Sequence, residues 1–212
     1  DFHIYLNTLA RIGHLFVRFG LICLFLLGLR KHPQLAHDPE QALRAAGIAA
    51  LPQPGPQLHH AEIRVSAAHI KDEFDFILVD CPPSLGLLTV NALAAADKLI
   101  IPIQCEFYAL EGLSKIIDSM NMVKKRINPN LDVFGVVITM YDKRTTLSKD
   151  VAKEVENVFG DKVFKTRIPR TVRISEAPSY GEPITEYEPN GKGAEAYRDL
   201  AKEVIKRYKK CS

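Results

Sequence analysis

Short apolar runs alternate with amphipathic helical patterns from about residue 70 to the end of the chain. Four of these runs are rich in β-branched and aromatic residues and have the length of buried strands. They are FDFILVD (74–80), KLIIPI (98–103), VFGVVITM (133–140) and KVFKTRI (162–168). Helical patterns cover 88–96, 110–126 and 148–159. The alternation predicts an α/β fold in which right-handed crossovers build a mainly parallel sheet.

The last helical pattern covers residues 193–210. Its apolar positions fall on one helix face: Tyr197, Leu200, Ala201, Val204, Ile205 and Tyr208. The tail KRYKKCS lacks the bulky apolar residues of a membrane-inserting helix. The pattern therefore favours a helix packed on the core, and membrane binding is not expected.

The first 69 residues have a different composition from the rest. They hold all seven histidines, and five prolines lie between Pro33 and Pro56. We predict an atypical N-terminal segment at 1–69 and an α/β domain at 70–212. The apolar stretch 19–29 is shorter than the roughly 20 residues that span a bilayer. A buried helix, a buried strand and a segment without a stable partner remain open for it.

Composition narrows the class of protein only slightly. With 212 residues, 47% of them hydrophobic, the chain can bury one sizeable core. The net charge of +3 permits an anionic partner such as DNA or a nucleotide without requiring one. The four cysteines have no CxxC spacing, which indicates neither a zinc site nor a disulfide framework and favours a reducing, cytosolic compartment.

A single acid ends the first apolar run of the regular region. In a doubly wound sheet, ligands bind outside the carboxyl ends of the strands, and Asp80 lies at such an end. A carboxylate there suits Mg²⁺, which keeps most of its water and is held by one or two carboxylates and by phosphate oxygens. Pro82 and Pro83 prevent the strand from continuing. The alternative is that Asp80 only caps the next helix.

Several long motifs in this region resemble one family. FDFILVDCPPSLGLLTVNALAAADKLIIPIQCEFYALEGLSKI is similar to the Walker B and switch region of the ParA/Soj chromosome-partitioning ATPases, relatives of MinD. GVVITMYDKRTTLSKDVAKEV, FKTRIPRTVRISEAPSYGEPI and NGKGAEAYRDLAKEVI resemble the same family in the same order. The resemblance covers about residues 70–208. It implies a doubly wound sheet of the P-loop NTPase type.

The resemblance also implies roles for individual residues. Asp80 matches the aspartate that supports Mg²⁺ through water, and 104–112 matches a segment near the nucleotide-dependent dimer interface. The switch that senses the γ-phosphate matches Cys81, Pro82, Pro83, Ser84 and Gly86. The residues around the adenine match Met140, Tyr141, Asp142, Pro169 and Arg170. For all but Asp80, packing or turn formation is the alternative role.

Partners follow from the same resemblance. It implies an ATP-dependent homodimer in the cytoplasm that associates with the nucleoid, binds DNA without sequence preference and is stimulated by a ParB-like partner. Basic side chains bind phosphates without reading bases. The candidates are Lys165, Arg167, Arg173, Lys192 and Lys202. For each of them, an ordinary solvated charge is the alternative.

The chain departs from the family at its N-terminal side. A ParA-like ATPase has a glycine-rich Walker A loop that cradles the phosphates, but residues 1–70 contain no such loop and the chain contains no GK[ST]. The second acidic motif, D-x-D-P-Q-G in outline, is also missing. The chain therefore lacks the normal N-terminal P-loop unit, and we expect it to hydrolyse ATP poorly or not at all. A non-catalytic module that binds DNA or protein and a MinD-like membrane-associated protein are the alternatives.

Overall fold

The computed structural model of the chain describes residues 23–28, 76–81, 86–107 and 109–211. Within them, five strands and six α-helices follow one another along the chain. In order they are β1 (Cys23–Gly28), β2 (Phe76–Cys81), α1 (Leu87–Ala95), β3 (Lys98–Gln104), α2 (Ala109–Arg126), β4 (Asp132–Tyr141), α3 (Thr146–Phe159), β5 (Val163–Pro169), α4 (Val172–Glu176), α5 (Ile184–Tyr187) and α6 (Lys192–Cys211). Two 3₁₀ turns lie at Gly160–Lys162 and Ala177–Tyr180.

The five strands form one sheet in the order β2-β1-β3-β4-β5. Strand β1 is antiparallel to both of its neighbours, whereas β3, β4 and β5 are parallel to one another. Because β2 and β3 each oppose β1, they also run in the same direction. The predicted mainly parallel α/β sheet is therefore confirmed, with β1 as its antiparallel member.

Strand β1 comes from the segment that precedes residue 70. Of the alternatives for the apolar stretch 19–29, a strand is present at Cys23–Gly28, and the rest of the stretch lies outside the described residues. The strand pairs with β2 over six residues and with β3 over three. The predicted boundary between 1–69 and 70–212 stays a prediction.

Each face of the sheet carries its own apolar core, because successive side chains of a strand point to opposite faces. On β3, Leu99 and Ile101 pack in the core that α1, α2 and α3 cover. Ile100, between them, packs in the core on the other face, which α4, α5 and α6 cover. Helices on both faces of a mainly parallel sheet make the fold doubly wound, as the sequence predicted.

The predicted elements agree with the structure to within two residues at each end. The helices that the sequence pattern missed are α4 and α5, which have five and four residues and are too short for a periodic apolar pattern. A local signal for α4 is present, because the Thr171 hydroxyl accepts a hydrogen bond from the Ile174 amide at 3.2 Å and caps the helix.

The predicted apolar face of α6 is confirmed as a core-packing face. Tyr197, Leu200 and Val204 are buried, and the Tyr208 ring packs edge-on against Phe76 with ring centroids 4.9 Å apart. This face is therefore occupied by the protein core. Among the residues that the structure describes, there is no helix with the length and apolarity to cross a bilayer.

Candidate functional site

The carboxyl ends of β2, β3, β4 and β5 meet at one edge of the sheet because these strands are parallel. We call this the carboxyl edge; Asp80, Gln104, Tyr141 and Pro169 lie at its strand ends. Three steps between neighbouring strands separate β2 from β4, which corresponds to roughly 14 Å at the usual spacing. Side chains after β2 and after β4 can therefore contact opposite ends of one elongated ligand.

A cavity of about 500 Å³ opens at the carboxyl ends of β4 and β5. Residues that follow these two strands form most of its wall. The lining residues are Thr139, Met140, Asp142, Arg144, Ile168, Pro169, Arg170, Thr171, Val172, Ile174, Ser175 and Tyr197. Apolar side chains and a few charged groups thus share one concave surface, as in sites for small molecules.

Met140 in the cavity wall has a left-handed backbone, with φ of +52°. Between Ile138 and Tyr141, β4 advances three residues while β5 advances two, from Arg167 to Pro169, so the pairing is irregular there. A residue other than glycine in this conformation costs about 1–3 kcal/mol, and such residues cluster at functional sites. The strained residue therefore belongs to the cavity that the strand ends form.

Asp142 and Arg144 form an ion pair at the rim of the cavity. The carboxylate accepts hydrogen bonds from the Arg144 backbone amide and Nε at 3.0 Å, and from its terminal guanidinium nitrogen at 2.8 Å. The side-chain hydrogen bonds, then the backbone one, lower the pKa of Asp142 to about 2. Asp142 therefore stays ionised at every physiological pH. The Arg144 side chain is exposed and places a positive charge at the rim of the cavity.

Asp80 is the penultimate residue of β2, and its side chain is exposed. Partial desolvation by its surroundings raises the pKa of Asp80 from 3.8 to about 6, against the hydrogen bond that the Cys81 backbone amide donates. The interpretation of Asp80 as a helix cap is wrong. The N-cap of α1 is Gly86, six residues later, and no side chain caps it.

Four of the five predicted adenine-contacting residues line the cavity together: Met140, Asp142, Pro169 and Arg170. Tyr141 does not line it. Its ring packs in the core that α1, α2 and α3 cover, and the Arg167 guanidinium lies 4.7 Å from the ring centroid. Its backbone carbonyl accepts a hydrogen bond from the Arg170 amide at 3.1 Å, which ties β4 to the cavity wall. A direct role of Tyr141 in binding stays a prediction.

The predicted switch and dimer segments are described in part. Cys81 is buried at the end of β2 and Gly86 is exposed, whereas Pro82, Pro83 and Ser84 lie outside the described residues. The segment 104–112 joins β3 to α2 at the carboxyl edge, and Phe107 in it is 76% exposed. Both segments therefore border the edge that carries Asp80 and the cavity.

The basic residues predicted to bind DNA are dispersed, and three of the five are ion-paired. Arg167 contacts Glu156, Arg173 contacts Glu176 and Glu188, and Lys202 contacts Asp199. Some of these acids come from other parts of the chain, and the others lie one helical turn before or after the basic residue. The side chains of Lys165 and Lys192 are exposed and make no ion pair with the described residues. DNA binding by all five stays a prediction.

Sequence reasoning missed several cavity residues. Arg144 could have been found from the D-x-R spacing, which lets the arginine turn back onto Asp142. Thr139, Ile168, Val172, Ile174 and Tyr197 are ordinary core or surface types in the sequence, and only the three-dimensional arrangement brings them to the cavity.

The described residues fit a magnesium nucleotide at its two ends. The cavity offers apolar walls to a base, and Asp80 offers a carboxylate to a hydrated Mg²⁺. Among the described residues, no group of three or more His, Cys, Asp or Glu could hold a metal ion without the ligand's help.

Comparisons with known proteins identify similar sequences and structures. A family model described as an AAA domain matches residues 57–133. The chain is 54% identical over 145 residues to the sporulation initiation inhibitor protein Soj of Bacillus subtilis, covering 68% of the chain and 57% of that protein. It is 50% identical over 143 residues to the chromosome partitioning protein ParA of Caulobacter vibrioides, covering 68% and 54%.

Solved structures show the same architecture. Cobyrinic acid a,c-diamide synthase from Mycobacterium smegmatis, with bound ADP and magnesium, has a TM-score of 0.58 at 33% identity. The match covers 72% of this chain and 55% of the synthase chain. The cell division ATPase MinD of Pyrococcus furiosus has a TM-score of 0.54 at 27% identity and covers 70% and 59%. The fold of the chain is thus that of the P-loop NTPase class.

Within this class, the chain belongs to the family of the Soj and ParA chromosome-partitioning proteins. It spans somewhat more than half the length of these curated relatives.

The raised pKa of Asp80 predicts that this carboxylate lowers the stability of the folded chain at neutral pH. As the pH rises from about 4 to about 6, the unfolded chain ionises first, so stability falls over this window. We expect Asp80→Asn to melt at a higher temperature than the unsubstituted chain at pH 7.5 and at the same temperature at pH 4.

Thermal unfolding at the two pH values measures this difference. Asp118→Asn, on the exposed surface of α2, is the control and should change the melting temperature equally at both. A lower melting temperature of Asp80→Asn at pH 7.5 would show that the carboxylate stabilises the fold instead.

Proposed function

We propose that this chain binds a magnesium nucleotide at the carboxyl edge and acts as a Soj/ParA-type partitioning protein. The observation that carries the proposal is the position of Asp80 and of the cavity at the same edge, roughly 14 Å apart across the sheet. A base in the cavity and a hydrated cation at Asp80 would then be joined by the phosphates. The relative from Caulobacter vibrioides is named a chromosome partitioning protein, which supports this choice of process.

Most of the residues that we propose for nucleotide binding would contact the base. Met140 and Pro169 offer apolar surface to its ring, and Arg170 is held in the wall by its hydrogen bond to Tyr141. The carboxylate of Asp142 is an acceptor for an amino group, which adenine carries. Because Asp142 stays ionised, base binding should vary little between pH 5 and pH 8.

Mg²⁺, when bound, would neutralise phosphate charge at the β2 end of the edge. Asp80 would hold its water shell, and it is deprotonated above a pH of about 6. The chain has no GK[ST] loop to supply amide donors and a lysine to the phosphates. We therefore propose weak nucleotide binding and little or no hydrolysis by this chain on its own.

Binding can be tested by a thermal-shift titration with Mg-ATP. At about 100 times the dissociation constant, a bound nucleotide adds roughly 2.7 kcal/mol of stability, which raises the melting temperature measurably. We expect the unsubstituted chain to show this shift with Mg²⁺, and to show a smaller one with EDTA or with Asp80→Asn.

Asp80→Asn is suited to this test because it should fold at least as well as the unsubstituted chain. Asp118→Asn should retain the full shift. A cooperative transition that Mg-ATP leaves unmoved in the unsubstituted chain would contradict nucleotide binding.

Self-association at the carboxyl edge is part of the proposal. Two large apolar side chains that follow strand ends, Phe107 and Val172, are 76% and 71% exposed. Exposed apolar residues near a site that binds ligand are suited to a contact that excludes water. We propose that an ATP-dependent homodimer forms through this edge, binds DNA at the nucleoid in the cytoplasm and responds to a ParB-like partner.

A non-catalytic module that binds DNA or protein is the second candidate. The missing GK[ST] loop and the exposed side chains of Lys165 and Lys192 favour it. A MinD-like membrane-associated role has less support, because the core already occupies the apolar face of α6.

The nucleotide dependence of DNA binding separates the two candidates. A partition-type protein should bind duplex DNA tightly only with Mg-ATP, whereas the module should bind equally without it. In either case, removing one phosphate contact lowers the slope of log affinity against log salt by about 0.9. We expect Lys165→Gln and Lys192→Gln to have this effect.

Lys153→Gln, an exposed change on α3, is the control and should leave the slope unchanged. Equal slopes for all three variants would show that Lys165 and Lys192 do not contact DNA. Absence of DNA binding with and without nucleotide would exclude both candidates as DNA-binding proteins.

A further inference from the structure

Strand β5 carries two extra residues before it reaches the cavity. Val163 pairs with Val136 and Arg167 pairs with Ile138, so β5 advances four residues while β4 advances two. A regular ladder would place residue 165 opposite Ile138. Bulges of this kind change which residues of a strand reach its end, and they occur next to functional sites.

The extra residues determine which part of β5 reaches the cavity. In the structure, Pro169 pairs with Tyr141 and Arg170 follows it in the cavity wall. In a ladder without the two extra residues of β5, Arg167 would pair with Tyr141 in place of Pro169. The side chains would keep their faces, because the shift is even, but the residues at the cavity would differ.

Helix α6 contacts the bulged part of β5 through Glu203. One carboxylate oxygen accepts a hydrogen bond from the Lys165 amide at 2.8 Å. The other accepts from the Thr166 amide and from the Thr166 hydroxyl, both at 3.0 Å. A single carboxylate thus accepts from three donors of two consecutive residues in the bulge.

Arg207, one helical turn further along α6, contacts the start of the same segment. Its guanidinium donates to the carbonyls of Lys162 and Val163 at 2.8 and 3.2 Å, and to that of Phe134 on β4 at 3.1 Å. It also lies 4.1 Å from the centroid of the Phe164 ring. One helix therefore contacts both the start and the interior of the bulge.

Glu203 and Arg207 support each other. Their charged groups approach to 3.7 Å, and both side chains are largely buried, at 21% and 20% exposure. Charge-assisted hydrogen bonds to backbone are stronger than neutral ones, and their loss leaves backbone groups without their partners. Neither residue touches the cavity.

We propose that Glu203 and Arg207 are positioning residues that fix the register of β5 and thereby place Pro169 and Arg170 in the wall of the candidate nucleotide site. For its ligand, this inference rests on the proposed nucleotide binding. Its structural part, that α6 sets the register of the cavity wall, does not. Loss of a contact that only adds stability would lower the melting temperature without changing the wall.

Glu203→Gln is the test substitution, because it keeps the size of the side chain. A glutamine offers one acceptor oxygen and turns an NH₂ donor toward the other donors, so it cannot replace the carboxylate. Two controls match its separate effects. Glu195→Gln makes the same chemical change at an exposed position of α6, and Val155→Ala destabilises the opposite core through α3.

Two measurements are made below the melting temperatures of all variants. Hydrogen exchange of the segment 164–176 reports the register and order of β5, and binding of Mg-ADP reports the cavity. We expect Glu203→Gln to speed exchange in this segment and to weaken Mg-ADP binding at least about fivefold, because displacing a wall by an ångström is costly. Glu195→Gln should leave exchange and affinity unchanged, and any faster exchange in Val155→Ala measures the effect of lower stability alone.

The outcomes separate the inference from the proposed function. If Glu203→Gln changes neither exchange in 164–176 nor affinity beyond the effect of Val155→Ala, the residue is only a stabilising contact and the inference is overturned. If the unsubstituted chain binds no Mg-ADP, the proposed function fails, and the exchange data alone decide whether Glu203 positions the wall. Faster exchange limited to Glu203→Gln would then support it.

Discussion

The parallel pairing of β3, β4 and β5 is the constraint on which the candidate site depends. Parallel strands bring their carboxyl ends to one edge, and so the residues after β4 and β5 meet although they are almost thirty positions apart in the sequence. Strand β2 has the same direction, which brings Asp80 to that edge as well. The antiparallel β1 fills the place between β2 and β3 and sets the distance between Asp80 and the cavity.

The regular part of the sheet explains the location of the site, and its irregular part explains the shape. Met140 has a left-handed backbone at the point where β4 contains one extra residue relative to β5. Just before this point, β5 contains two extra residues relative to β4. The second irregularity is held by Glu203 and Arg207, whose hydrogen bonds replace those that a regular ladder would make. A helix on one face thus influences a cavity at the sheet edge without touching it.

The sequence predicted the α/β fold because apolar runs and helical patterns alternate from about residue 70 to the end of the chain. Strand β1 could not be predicted with the same certainty, since one apolar run fits a helix or a strand. Asp80 was predicted from its place at a strand end and from the family motif, and Met140, Tyr141, Asp142, Pro169 and Arg170 were predicted from the family motifs alone. Tyr141 was predicted from the same motif, but the irregular backbone at Met140 turns its side chain to the core that also holds Ile138.

Long-range electrostatics was beyond the reach of sequence reasoning. The stretch KTRIPRTVR contains no acid, and it therefore resembled a free basic surface. The fold brings Glu156 to Arg167 and Glu188 to Arg173. The role of Glu203 was equally hidden, because an exposed-looking acid on an amphipathic helix gives no sign that it binds backbone amides 37 and 38 positions away.

The proposed function requires that the nucleotide binds at the carboxyl edge of the sheet. Residue-resolved amide chemical shifts of the labelled chain, titrated with Mg-ADP, report where it binds. We expect perturbations at 80–81, 139–144 and 168–175, with little change at the opposite edge in 124–131 and 206–211. Perturbations that concentrate at the opposite edge, or none at saturating Mg-ADP, would contradict it.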